Sequence, residues 1–174
     1  MHPHAQAFLL PHEMFAAIYH NYPEIWRTSI SPDVTKLVEF WNAQTGHPQM
    51  QGHPVKSRPG WKSKAVPIAF HGDGVPVTGI GKIWSKTMTM FHFTSLLSQG
   101  HSKEVMFWIW SVFDRLRVKG DSTGEGTLET FFRILRWSLQ SLYEGVWPDS
   151  PWDSDDKQTI SSWSYMLLCF VHCL

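Results

Sequence analysis

A chain of 174 residues, 43% of them hydrophobic, has the length and apolar content of one domain with a real core. Its 15 basic and 15 acidic side chains cancel, so no global field draws it to nucleic acid or to an anionic membrane. Two cysteines, Cys169 and Cys173, are too few for a disulfide framework, while ten tryptophans and eleven phenylalanines predict either a very aromatic core or an apolar surface that a partner covers.

Residues 1–47 read as an N-terminal helical segment. Pro11 can open a helix that carries Phe15, Ile18 and Tyr19, and Pro23 stops it. In the second helix, over 31–44, Ser31 is the expected cap, Pro32 fits the first helical position and Asp33 favours the positive helix end. Val34, Leu37, Val38 and Trp41 then fall on one face, and Gly46 is the expected stop. Residues 48–65 form a basic loop dense in proline and glycine, expected to be neither helix nor strand.

A β-β-β-α core is expected over 66–145. The apolar run 66–70 reads as a strand, and Asp73-Gly74 after it is a strong turn signal, since both residues tolerate positive φ. Pro76, Gly79 and Gly81 leave 75–83 as a broken strand or wide loop. Alternation returns over 87–97. The nearly continuous apolar stretch 105–113 reads as a buried strand, with a helix over 103–118 capped by Ser102 as the rival, because periodicity alone does not separate them. Residues 128–143 predict the best helix in the chain: Leu128, Phe131, Leu135, Leu139 and Leu142 share a face, Thr127 can cap it, and Gly145 ends it before Pro148. An acidic loop and an irregular tail are expected over 146–174. The apolar run near the end is far below the ~18 residues that span a bilayer, so no membrane partner is expected. No internal repeat is apparent.

Four chemistries can be weighed on these residues. A phosphate loop at 72–82 fails, because Gly81-Lys82 is followed by Ile83 and Pro76 stands where the first glycine belongs. Asp73, the only carboxylate between Glu39 and Glu104, can be a Mg²⁺ ligand at the end of a strand or the side chain that ties its own hairpin turn, with His71 beside it as a general acid or base. Lys56, Arg58, Lys62, Lys64, Lys82 and Lys86 face that single acid, a local balance of +5 that suits a phosphate backbone. Trp84 between Lys82 and Lys86 adds a stacking surface for a single strand. Neither His2, His4, His12 and His20 nor Cys169, His172 and Cys173 has the spacing of a zinc site.

Four stretches carry a resemblance: Val66-Pro-Ile-Ala-Phe-His-Gly-Asp-Gly-Val-Pro-Val, Gly79-Ile-Gly-Lys-Ile-Trp-Ser-Lys, Phe107-Trp-Ile-Trp, and Trp137-Ser-Leu with Gly145-Val-Trp-Pro-Asp. They resemble a family of dinoflagellate proteins that is itself distantly similar to transposases with an RNase H-like (DDE-type) catalytic domain, over about residues 50–150. The resemblance implies an α/β (α+β) fold, a three-stranded antiparallel sheet with flanking helices like the N-terminal half of an RNase H-like fold, and a nuclear location. It also implies that Asp73 is the first of three carboxylates that hold two Mg²⁺ ions around a phosphodiester. The other carboxylates would come from elements after the helix at 128–143, where few residues remain. The expectation is therefore a truncated, transposase-derived fragment that does not cleave, needs no cofactor (Mg²⁺ only if the site were complete), and keeps weak DNA affinity. The alternatives are an interaction module whose exposed aromatics take a protein partner, and a complete metal-dependent nuclease that adds acids from 149–156 to Asp73.

Overall fold

The computed structural model describes residues 7–77, 87–122, 124–149, 152, 159–162 and 166–171, the last two runs as backbone only. Helix α1 (Pro11–Asn21) opens on its proline, whose missing N–H is one that no helix can satisfy there. Pro23 closes it and begins the single turn α2 (Pro23–Ile25), which continues into a π-helical turn at Trp26–Ile30. Phe15, Ile18, Trp26 and Ile30 are buried.

Helix α3 (Val34–Ala43) starts later than Ser31 suggests. Asp33 is extended, and its carboxylate accepts the Lys36 N–H at 2.9 Å, so Asp33 is the cap. Leu37 and Trp41 are buried as the spacing requires, but Val34, beside the cap, is exposed. The helix ends at Gln44, two residues before Gly46.

The stretch read as an irregular loop is organised. It holds three 3-10 turns, Pro48–Met50, Pro54–Ser57 and Trp61–Ser63. The first two are one motif used twice, Gly46-His-Pro and Gly52-His-Pro. In each, the histidine Nδ1 accepts the N–H two residues on: His47 from Gln49 at 3.3 Å, His53 from Val55 at 3.2 Å. Each turn buries one apolar side chain, Met50 and Val55, against Leu37, Trp41 and Ala65 in a second, smaller core. The Trp41 indole N–H donates to the Ala65 carbonyl at 2.7 Å and ties that core to the sheet.

Strands β1 (Ala65–Pro76), β2 (Thr87–Ser95) and β3 (Phe107–Phe113) form the expected antiparallel set. Later come β4 (Val146–Pro148), β5 (Thr159–Ser162) and β6 (Met166–Val171). The backbone of β6 lies parallel on the other side of β1, so the sheet order is β3-β2-β1-β6, while β4 and β5 pair with each other. A tail expected to be irregular thus contributes backbone to the sheet.

One local reading is corrected and one choice is settled. β1 does not turn at Asp73-Gly74: it stays paired through Pro76, with Asp73 opposite Met90. The reason is tertiary. The Phe91 ring lies over Gly72, where an added Cβ would come within 2.8 Å of it, and the Thr87 methyl lies 3.2 Å from the same point on Gly74. These glycines leave room for neighbours on the adjacent strand instead of bending the chain. At 105–113 the strand prevails, with α4 (Ser102–Val105) as a single turn ahead of it. Phe107 stacks on Phe93 across β2, and Ile109, Trp110 and Val112 are buried, which a helix directed away from β2 would not achieve.

Helix α5 (Thr127–Glu144) covers the inner face of the sheet beside α1. Phe131 and Leu135 reach the core as predicted. Thr127 does not cap the helix; its hydroxyl accepts the Val118 N–H at 2.9 Å. Gly145 ends the helix with φ 72°, a conformation that favours glycine, and its N–H donates to the Ser141 carbonyl at 3.0 Å.

Candidate functional site

Alternation along β1 and β2 decides what the outer sheet face carries. Phe70, Phe91 and Phe93 point inward; His71, Asp73, Met90 and His92 therefore point outward. His71 and His92 are cross-strand partners with ring centroids 4.9 Å apart. Burial pushes the His92 imidazole below its ordinary pKa, His71 adds to that, and Asp73 opposes it. Asp73 itself is exposed. On β3, Trp108 stands opposite His92 and is 38% exposed. The cluster is one carboxylate, two imidazoles and an aromatic rim. It can accept hydrogen bonds, gain positive charge as pH falls, and offer ring faces for stacking.

Among the described residues no group of three or more His, Cys, Asp and Glu side chains converges as a metal site requires. Asp149 is exposed after β4; Asp153, Asp155 and Asp156 lie outside the described residues, as do Lys82, Trp84 and Lys86. The remaining predicted cations share the segment before β1 but differ in use. Lys56 and Lys64 are exposed. Lys62 donates to the Asn42 side-chain carbonyl at 2.7 Å and lies over the Trp61 ring. Arg58 turns onto the C-terminal end of α5: its guanidinium donates to the Tyr143 carbonyl at 2.7 Å and sits 4.4 Å above the Tyr143 ring. Those carbonyls have no partner within the helix, so a cation there satisfies both hydrogen bonding and the helix dipole.

One group was not legible as a site. His12 is buried, 4% exposed, between Trp137 and Trp147, each ring centroid 5.0 Å away. Its backbone N–H donates to the Ser138 Oγ at 3.2 Å, and its Nδ1 lies 2.8 Å from the same oxygen. Burial pushes its pKa down to about 4, so the ring is neutral at neutral pH. A small cleft opens beside it, lined by Phe15, Tyr19, Trp26, Ser141 and Leu142. The sequence signal was Trp137-Ser138 on the best helix, but its partner lies on α1 and no spacing rule links them. Ser138 is fully buried, so the pair holds α1 to α5 and offers no accessible nucleophile.

The class these features define is an α+β protein with a mixed sheet, one face under helices and the other bearing a small histidine–aspartate cluster. No family model, no curated protein and no solved structure matches the chain. Among the described residues no helix is long and apolar enough to cross a membrane.

Proposed function

We propose that this chain is an RNase H-like, transposase-derived unit that binds DNA weakly through its basic segment and does not cleave it. The observation that carries the reading is Asp73. It stands exposed on the outward side of β1, and among the described residues it neighbours imidazoles and not other carboxylates. One carboxylate neither neutralises nor positions two Mg²⁺ ions. The neighbouring strand β6 adds no acid, since its sequence is Met-Leu-Leu-Cys-Phe-Val. Three antiparallel strands followed by a helix is the order the family resemblance implies, and β1, β2, β3 and α5 follow it. Lys56 and Lys64 supply exposed positive charge ahead of β1.

Filter binding to duplex DNA at low and at physiological salt tests the binding half. Affinity is expected to fall steeply with salt, and Lys56→Ala and Lys64→Ala each to lower the salt slope by about 1. Binding that ignores salt, or none at low salt, removes it. Incubation of supercoiled DNA with Mg²⁺ tests the other half: nicking that disappears in Asp73→Asn would show a working nuclease instead.

A second reading has its own observation. Trp108 and Phe113 are each 38% exposed on β3, followed by Leu116 and Val118 at 61% and 66%. A non-enzymatic module that covers these with a protein partner is the alternative. A monodisperse monomer with no dye-accessible apolar surface would count against it.

A further inference from the structure

The twin Gly-His-Pro turns differ in what surrounds them, and the second is built like a latch. His53 accepts the Val55 N–H through Nδ1, which only the neutral ring can do; once protonated, both ring nitrogens are donors and the Val55 N–H meets another N–H. That bond caps the turn Pro54–Ser57, whose own bonds run from the Lys56 N–H to the His53 carbonyl at 3.1 Å and from the Ser57 hydroxyl to the Pro54 carbonyl at 2.7 Å; the turn buries Val55 completely and leads into Arg58, which reaches α5. The charged group that acts on His53 is a cation, Lys56 on its own segment. From α5 the Tyr143 ring lies 6.4 Å from the His53 ring, with Arg58 over the same phenol, while the Glu144 carboxylate accepts from the Gln140 amide. A proton on His53 would therefore add a positive charge beside Lys56, near a helix end whose carbonyls Arg58 already uses.

We propose that His53 is an acid-sensitive latch: as a neutral acceptor it holds the 53–58 turn on the C-terminal end of α5, and protonation releases that turn. Burial and Lys56 push the His53 pKa below its ordinary value, in keeping with this arrangement. A depressed histidine pKa means that docking is intact above the unfolded value near 6.5 and is lost as pH falls through the folded value. Release frees Arg58 from α5 and uncovers Val55. The inference stands on the turn geometry and does not rest on the nucleic-acid reading.

The test is amide exchange of residues 53–58 in the whole chain, corrected for intrinsic rates, at about pH 7.5 and about pH 5.5, where histidine charges. Protection in this turn is expected to fall several-fold in the wild type while α5 and β1 hold. In His53→Asn, whose amide oxygen caps without titrating, it is expected to hold at both pH values. His47→Asn should leave the acid response in place. Equal protection at both pH values in the wild type, or a parallel loss in His53→Asn, overturns the proposal. So does a His53 proton titration by NMR at or above the ordinary histidine pKa, a measurement that needs no variant.

Discussion

The two faces of one sheet are made by the same strands and behave oppositely. On the inner face Phe91 is the hub: Phe70 and Trp110 stack on it at 5.9 and 6.0 Å, and Phe131 of α5 lies 4.6 Å away. On the outer face, one residue along each strand, His71, Asp73, His92 and Trp108 stay partly or largely open to water. A period of two places core and candidate chemistry side by side, so the inner face supplies rigidity and the outer face is free to vary. The difference shows where stability and function can be separated by mutation.

The largest break in that comparison is expected from Phe91→Ala, which empties the aromatic hub. Urea unfolding should show a loss of about 3–5 kcal/mol, with the midpoint moving and the slope little changed. Next is Gly72→Val, which pushes a branched side chain into the Phe91 ring; the strain is expected to cost about 1–3 kcal/mol. A stable Gly72→Val protein would mean that Phe91 does not lie across β1. Acid sharpens the comparison from the helix side. His12 is neutral in the fold with a pKa of about 4 and titrates near 6.5 when unfolded. Its contribution is complete above pH 6.5 and is lost as pH falls toward 4, about 2 kcal/mol after allowance for the adjoining cleft. Equilibrium unfolding across that range should fall more steeply for wild type than for His12→Gln. The smallest effect belongs to the outer face: Asp73→Asn should move stability by less than about 0.5 kcal/mol. A large loss there would show that the carboxylate is part of the fold.

Legibility followed distance along the chain. Pro11, Gly145 and the Leu37–Trp41 spacing act within a turn or two, and their helices stand where the pattern put them. The cap of α3 moved from Ser31 to Asp33 because both residues satisfy the composition rule and only backbone geometry chooses between them. The loop at 48–65 looked irregular because its order comes from two histidines that cap 3-10 turns, a use of histidine that no periodicity reveals. For the candidate site, His71 and Asp73 stand two apart on one face of β1, but Asp-Gly pointed to a hairpin where a strand runs on. His92, which pairs with His71, and His12, which meets Ser138, were invisible as partners because each pairing crosses between elements.

By itself the sequence determined the apolar periods, the opening of a helix at Pro11, the stop at Gly145 and the supply of aromatic rings, because these depend on residues a few positions apart. Tertiary structure alone decided that 71–76 is strand and not turn, that Arg58 serves a helix end, and that a histidine pair and an aspartate share one exposed face. A glycine that frees the backbone and a glycine that makes room for a ring are the same letter. Only the ring that arrives from the next strand tells them apart.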